Sequence, residues 1–265
     1  MSKILIRGLD FGYEAAGAGT PVVLLHGFPF NRTLWSEQIE ALAPRHRVLA
    51  PDLRGHGETA ATAAAATMEE MAQDVSELME KLNFSRAAVC GLSMGGYVAL
   101  ALYRMFPLRV RALVLADSRA TADTDEARAN REAQAQQALR EGMAPIADAM
   151  LPKLVSPGTM ARNPEVGARV RKMIMNTKPE GAAAALRGMG QRRDQTRLLS
   201  RIVAPALILV GSEDVITPPA DSKLMHREIG GSRLDVIENA GHVSNLEQPE
   251  QFNESLAKFL RDLEV

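Results

Sequence analysis

Short, continuous apolar runs alternate along the chain with longer stretches in which apolar residues recur every three or four positions. The continuous runs are typical of strands buried on both faces of a sheet, and the periodic stretches are typical of helices with one buried face. Strands are predicted at residues 3–8, 9–15, 21–25, 47–50, 87–90, 110–116, 206–210 and 234–237. Helices are predicted at residues 33–43, 68–82, 97–106 and 221–229, with a last amphipathic helix that carries Phe252, Leu256, Phe259 and Leu260. This alternation predicts an α/β protein with a mostly parallel sheet covered by helices on both faces.

Residues 121–200 break the alternation. They contain no strand-like run and no Phe, Tyr or Trp, but many Ala, Arg and Met residues at helical spacings. Because this stretch lies between the predicted strands at 110–116 and 206–210, it is predicted to be a helical cap inserted between two strands. We therefore expect residues 1–120 and 201–265 to form the core domain and residues 121–200 to form the cap.

Composition narrows the class of protein. The chain has 265 residues, of which 46% are hydrophobic and 24% charged, as in an average soluble globular protein. Its 31 Lys and Arg residues balance 32 Asp and Glu residues, so no basic excess indicates nucleic-acid binding. A single cysteine cannot form an internal disulfide, and no Cys/His cluster has the spacing of a zinc site. No apolar stretch reaches the roughly 18 residues of a membrane span, and the N-terminus does not resemble a signal peptide. We expect a cytoplasmic protein without a metal.

The sharpest chemical signal is the sequence GLSMG at residues 91–95. It satisfies the G-x-S-x-G pattern and lies directly after one predicted strand and directly before a helix, which is where that pattern functions. A nucleophile on a strained strand-to-helix turn needs small neighbours, and Gly91 and Gly95 provide them. The free N–H groups and positive dipole of the helix N-terminus favour a developing oxyanion. The sequence therefore predicts a nucleophile at Ser93.

A serine hydroxyl needs a base, and His242 is the strongest candidate. It follows the last predicted strand, and the carboxyl ends of parallel strands share one edge of a sheet, so its loop can reach Ser93. The other histidines are His26, His46, His56 and His226. We expect these four to be structural or solvent-exposed, with His56 as the weaker alternative base.

The acid that orients the histidine is also expected to follow a strand. The strand at 206–210 is followed by Glu213 and Asp214, of which Asp214 is favoured because Glu213 is the more readily solvated neighbour. Asp117, after the sixth strand, is the alternative, unless it anchors the first turn of the cap. The chain order Ser93, Asp214, His242 matches the order of G-x-S-x-G hydrolases.

The remaining site residues are predicted by position. The loop after the strand at 21–25 is expected to supply one oxyanion donor, the backbone N–H of Phe28, and the residue after the nucleophile supplies the second, the N–H of Met94. The candidate substrate contacts are Trp35, Val215 and Val243, although Trp35 could equally face the core.

On these motifs the chain resembles the α/β-hydrolase superfamily over nearly its whole length. The motifs that carry the resemblance are HGFP at 26–29, DLRGHG at 52–57, GLSMGG at 91–96, GSED at 211–214 and GH at 241–242. The resemblance implies the α/β-hydrolase fold, an eight-stranded sheet with a helical cap after the sixth strand. It also implies a reaction that needs neither metal nor cofactor.

Within the superfamily, a serine nucleophile argues against the haloalkane dehalogenases and epoxide hydrolases, which use Asp there. The absence of an HGGG run argues against the hormone-sensitive-lipase-like esterases. The pattern is most similar to small bacterial carboxylesterases, 3-oxoadipate enol-lactonases and cofactor-free haloperoxidases, and Phe28-Pro29 with Met94 is similar to the perhydrolases. This resemblance implies hydrolysis of small esters or lactones through an acyl-enzyme on Ser93. Perhydrolysis and ligand binding with weak turnover are the alternatives.

Overall fold

The computed structural model describes residues 2–62 and 64–263; the ends of the predicted core domain, residues 1, 264 and 265, and residue 63 lie outside it. The strands are β1 (Ser2–Ile6), β2 (Leu9–Ala16), β3 (Thr20–Leu25), β4 (His46–Pro51), β5 (Ala87–Leu92), β6 (Val110–Ala116), β7 (Ala206–Gly211) and β8 (Arg233–Ile237). They form one sheet in the order β1-β2-β4-β3-β5-β6-β7-β8. The pairings β1–β2 and β2–β4 are antiparallel, and all the others are parallel. The predicted eight-stranded, mostly parallel sheet is confirmed.

Twelve α-helices are present in the described part of the chain. They are α1 (Ser36–Leu42), α2 (Met68–Lys81), α3 (Met94–Met105), α4 (Asp125–Glu141), α5 (Ala144–Leu154), α6 (Pro157–Arg162), α7 (Pro164–Met175), α8 (Pro179–Gly190), α9 (Thr196–Leu199), α10 (Pro219–Glu228), α11 (Ser244–Glu247) and α12 (Pro249–Asp262). Helices α4 to α9 follow β6 and precede β7, in the stretch of sequence that lacks strand-like runs. None of the helices among these residues combines the length and the apolar character needed to cross a bilayer.

Several short segments differ from the sequence prediction. Helix α3 begins at Met94, three residues before the predicted start, and a 3₁₀ turn, Pro107–Arg109, follows it. The helix predicted over 33–43 begins as a separate 3₁₀ turn, Arg32–Trp35, before α1. The side chain of Asn31 caps this turn by accepting the backbone N–H of Thr33 at 2.9 Å. The four-residue helix α11 was not predicted, because so short a segment shows no helical period.

The central strands end at one edge of the sheet, and this edge positions the site. Strands β3, β5, β6 and β7 are almost entirely buried, as their continuous apolar runs predict. In the parallel register Leu25 pairs with Gly91, and Leu92 pairs with Ala116. The residues that directly follow these strands therefore come together above the same edge.

Two buried ion pairs fix the loop that follows β4. The Arg32 guanidinium pairs with Asp52, and Arg54 makes a bidentate pair with Asp74 of α2 at 2.7 and 2.8 Å. Bidentate guanidinium–carboxylate pairs constrain direction as well as distance. The DLRGHG stretch is therefore held rigidly next to the sheet edge.

Candidate active site

Ser93 lies in a strained turn between β5 and α3. Its backbone has φ 54° and ψ −113°, in the left-handed region that non-glycine residues rarely adopt. A Cβ atom on Gly91 would lie 2.2 Å from the carbonyl oxygen of Gly95, and one on Gly95 would lie 2.0 Å from that of Leu25. Only glycine therefore fits on either side of Ser93, which explains why the turn needs G-x-S-x-G.

Hydrogen bonds from β6 and the loop after it hold this turn in place. The backbone N–H of Ser93 donates to the carbonyl of Ala116 at 2.9 Å. The hydroxyl of Ser118 donates to the carbonyl of Ser93, also at 2.9 Å. These contacts stabilise a backbone conformation that would otherwise be costly, and they leave the Ser93 side chain 9% exposed.

Three side chains from three loops form a continuous hydrogen-bonded chain. Ser93 Oγ lies 2.9 Å from His242 Nε2. On the other side of the ring, His242 Nδ1 lies 2.8 Å from Asp214 Oδ2. With the ring proton on Nδ1, donated to the carboxylate, Nε2 is free to accept the serine proton. The structure thus brings together the three residues that the sequence singles out as nucleophile, base and acid.

The carboxylate of Asp214 is held by the turn that follows it. Its Oδ1 accepts the backbone N–H groups of Ile216 and Thr217 at 2.8 and 3.0 Å, and its Oδ2 accepts the Thr217 hydroxyl at 2.7 Å. Burial alone would raise the pKa of Asp214, but the charge and hydrogen bond of His242, with the bonds from Thr217, lower it below its usual value. Asp214 is therefore ionised, with one oxygen directed at His242.

Neither alternative acid contacts His242 in this way. Glu213 is exposed, as its solvated position predicts. Asp117 is fully buried at the end of β6, where it accepts the backbone N–H of Gly211 at 2.8 Å and the hydroxyl of Ser244. Burial and the nearby charge of Asp214 raise its pKa well above the usual value. Asp117 thus connects the end of β7 to the start of α11, rather than anchoring the cap or orienting the base.

His26 and His56 are buried beside the oxyanion loop. His26 Nδ1 donates to the carbonyl of Gly27, and its Nε2 accepts the backbone N–H of Leu53, both at 2.9 Å. The two imidazole rings are in edge-to-face contact, 5.1 Å apart. Burial lowers the pKa of His26 to about 4 and that of His56 to about 3. Both rings are therefore neutral, and they stabilise the loops that carry them.

The predicted oxyanion donors are adjacent to the nucleophile. A Cβ atom on Gly27 would lie 3.3 Å from Ser93 Cβ, so the loop that contains Phe28 lies against the serine. Met94 is the first residue of α3 and is fully buried. The helix N-terminus adds a positive dipole at this point. The surroundings of Ser93 therefore suit a developing negative charge.

The three predicted substrate contacts differ in accessibility. Trp35 is fully buried, with its ring centre 6.1 Å from that of Phe252, so it packs in the core and not at an open surface. Val243 is fully buried as well. Val215 is 66% exposed and lines a cavity of about 350 Å³ together with Ile146 and Met150 of α5. Of the three, Val215 is the residue that a ligand can reach.

Two polar residues next to the triad were not predicted from the sequence. The Thr217 hydroxyl is bonded to Asp214 and lies 3.3 Å from His242 Nδ1. Glu247, in α11, accepts the backbone N–H of Gly241, next to the histidine, at 2.8 Å. In the sequence, only their positions, three residues after Asp214 and five after His242, could have indicated a role next to the triad. Within residues 2–62 and 64–263, no group of three or more His, Cys, Asp and Glu residues is arranged to hold a metal ion.

Comparison with known proteins gives the family. Residues 20–249 match the family model described as alpha/beta hydrolase fold. The chain is 30% identical to 3-oxoadipate enol-lactonase 2 of Acinetobacter baylyi over 231 residues, which cover 87% of this chain and 85% of that protein. Among solved structures, a thermophilic esterase from Thermogutta terrifontis (malate bound) is 41% identical, with a TM-score of 0.97 and coverage of 100% and 99% of the two chains. The enol-lactonase from Burkholderia xenovorans is 31% identical, with a TM-score of 0.92 and coverage of 98% and 100%. The resemblance predicted from the motifs is confirmed: the chain belongs to the α/β hydrolase fold family and has esterases and enol-lactonases among its relatives.

Proposed function

We propose that the protein is a serine hydrolase that cleaves small carboxylic esters or lactones through an acyl-enzyme on Ser93. The observation that carries this proposal is the continuous chain from Ser93 Oγ through His242 to Asp214, with separations of 2.9 and 2.8 Å. A protein that only binds a ligand has no need for all three groups in this order. The names of the esterase and enol-lactonase relatives support the same class of substrate.

In the acylation half-reaction, Ser93 Oγ attacks the carbonyl carbon while His242 Nε2 takes its proton. Asp214 stabilises the imidazolium that forms, without itself accepting the proton. The oxyanion of the tetrahedral intermediate accepts hydrogen bonds from the backbone N–H groups of Phe28 and Met94. Each such donor contributes roughly 3–4 kcal/mol to transition-state stabilisation. His242 then gives its proton to the leaving oxygen as the carbon–oxygen bond breaks, which leaves an ester on Ser93.

In the deacylation half-reaction, water replaces the alcohol. His242 takes a proton from the water as its oxygen attacks the acyl carbon, and the same two N–H groups hold the second oxyanion. His242 returns the proton to Ser93 Oγ as the acyl–serine bond breaks, and the carboxylic acid is released. With a lactone substrate the leaving hydroxyl remains attached to the acyl chain, so the product is a single hydroxy acid.

A cavity lies beside the acid loop, and we propose that it receives the acyl or alkyl group of the substrate. Val215 and Ile216, which follow Asp214, line it, whereas none of the triad residues does. Its volume of about 350 Å³ is near the lower end of the range for ligand pockets, roughly 300–1,000 Å³. Its lining is mixed: Ile146, Met150, Val215 and Ile216 are apolar and suit a short acyl or alkyl group, whereas Arg131, Gln134, Gln137 and Lys153 are polar or charged. We therefore expect short-chain esters and small lactones to be the better substrates.

Steady-state hydrolysis of p-nitrophenyl acetate, butyrate, octanoate and laurate, with δ-valerolactone alongside, tests the proposal. Ser93→Ala is expected to lower kcat/KM by more than about a thousandfold, since no other group can carry the acyl chain. Ser85→Ala, at an exposed serine before β5, is the matched control and should leave turnover unchanged. If the wild-type protein and Ser93→Ala are equally slow on every ester and on the lactone, the proposal is wrong.

A further inference from the structure

The loop that carries His242 is joined to the segment between α5 and α6. A single carbonyl oxygen, that of Leu154 at the end of α5, accepts the backbone N–H groups of both His242 and Val243, at 3.0 and 3.2 Å. The backbone of the proposed base is therefore bonded to a residue from the helical stretch between β6 and β7.

Glu247 makes a second connection between the same two segments. Its Oε1 accepts the backbone N–H of Gly241 at 2.8 Å, and its Oε2 accepts the backbone N–H of Ser156 at 2.9 Å. The residue is only 8% exposed. Hydrogen bonds from N–H groups to a buried carboxylate are about twice as strong as bonds between neutral groups. The carboxylate thus bonds the backbone at Gly241 to the backbone at Ser156, two positions that lie far apart in the chain.

The two connections hold the backbone on both sides of His242. Glu247 holds the residue immediately before His242, whereas the Leu154 carbonyl holds His242 itself and the residue after it. From this hydrogen-bonded backbone the side chain of His242 reaches Ser93, with Nε2 2.9 Å from Ser93 Oγ. Proton transfer depends steeply on that separation, since a misplacement of about 1 Å can cost roughly a hundredfold in rate.

We propose that Glu247 is a positioning residue for the reaction. Its carboxylate fixes the backbone that carries His242, and through Ser156 it makes the α5–α6 junction part of the support of the base. The carboxylate of Glu247 accepts from backbone N–H groups, whereas the ring of His242 is bonded to Ser93 and Asp214, so Glu247 is assigned no part in proton transfer. This inference rests on the proposed function of Ser93 and His242.

The test compares Glu247→Gln with the wild-type protein. The amide has nearly the same shape, but its NH2 group faces an N–H donor, so one of the two bonds is lost and replaced by repulsion. We expect kcat for p-nitrophenyl butyrate to fall by about tenfold to a hundredfold, with KM changed by less than about twofold. The rate at which a fluorophosphonate probe labels Ser93 should fall by the same factor, because that reaction also needs the base.

Two further variants complete the design. Glu247→Asp keeps the charge but is one methylene too short to reach both N–H groups, so it should also lower kcat and the labelling rate. Glu250→Gln, at an exposed position in the first turn of α12, is the matched control and should change neither. Circular dichroism at the assay temperature and titration of active sites correct each rate for the folded fraction.

The outcomes separate the two proposals. If Glu247→Gln and Glu247→Asp keep kcat and the labelling rate close to those of Glu250→Gln, the inference is wrong whether or not the melting temperature falls; a lowered melting temperature would then show a purely structural role. If the wild-type protein neither hydrolyses esters nor reacts with the probe at Ser93, the proposed function fails and the role of Glu247 fails with it. Wild-type labelling that Ser93→Ala abolishes, together with slow labelling of both Glu247 variants, supports both.

Discussion

Replacement of Asp214 by Asn tests the assignment of the acid by altering one atom. The carboxylate accepts four hydrogen bonds: two from the backbone N–H groups of Ile216 and Thr217, one from the Thr217 hydroxyl and one from His242. An amide has only one acceptor oxygen. If that oxygen keeps the two backbone bonds, the NH2 group faces His242 Nδ1 and donates to it. The ring proton must then lie on Nε2, the atom that has to accept the proton of Ser93.

The size of the effect follows from this tautomer change. An imidazole with its proton on Nε2 cannot act as the base, and loss of the correct tautomer costs about 10,000-fold in kcat in a Ser-His-Asp site. This factor corresponds to about 5 kcal/mol of transition-state stabilisation. The fold should tolerate the change, because the amide keeps both backbone bonds and removes a negative charge next to the buried Asp117.

Asp117→Asn provides the matched control, since it changes a second buried carboxylate in the same cluster. The amide oxygen can still accept the Gly211 N–H, and its NH2 group can donate to the Ser244 hydroxyl. We expect kcat for p-nitrophenyl acetate to stay within about tenfold of the wild-type value in Asp117→Asn, while Asp214→Asn loses about 10,000-fold. Near-normal turnover by Asp214→Asn, or a larger loss in Asp117→Asn, would refute the assignment.

Two further predictions concern stability. His26 and His56 have pKa values lowered by burial to about 4 and about 3 from 6.5, so below pH 6.5 the unfolded chain binds protons that the folded protein does not. The free energy of unfolding should therefore fall as the pH drops from 6.5 towards 4, by roughly 3 kcal/mol for His26 alone. Urea denaturation across this range checks it, with the exposed His226→Gln as control, and a flat profile would contradict it. Thr177→Val removes the hydroxyl that donates to the Pro29 carbonyl at 2.6 Å and should cost about 1 kcal/mol in the same assay; unchanged stability would show that this bond contributes nothing.

The sequence predicts the fold and the meeting of the triad residues because both depend on local patterns. A buried parallel strand must be a continuous apolar run, and the residue after it must lie at the common edge. Ser93 and Asp214 each follow such a run within a few residues, and His242 follows β8, a less buried strand that is parallel to β7. The proximity of the three residues therefore follows from the topology. The turn at Ser93 can also be predicted from a local pattern, since the space around Gly91 and Gly95 admits no side chain.

The orientation of side chains in short segments could not be predicted in this way. Trp35 lies in a four-residue 3₁₀ turn, where no period indicates which side is buried, and the structure places it against Phe252. The choice between Asp117 and Asp214 was also open, because both follow a strand at the same edge. It is decided by the 2.8 Å contact between His242 and Asp214, which depends on the path of the loop after β7.

The hydrogen bonds that support the loops of the triad could not be predicted, because their partners lie far apart in the sequence. Thr177 is 148 positions from Pro29, and Glu247 is 91 positions from Ser156, so neither pair shares a local pattern. Both pairs connect the helices between β6 and β7 to a loop of the site, Thr177 on the side of the oxyanion loop and Glu247 on the side of His242. Displacement of those helices as a unit would break these bonds together with the two at the Leu154 carbonyl, at about 1 kcal/mol for each neutral bond and about twice that for the bond to the Glu247 carboxylate. The segment from α5 to α8 therefore belongs to the frame that holds the triad, although in the sequence it looks like an insertion that only covers it.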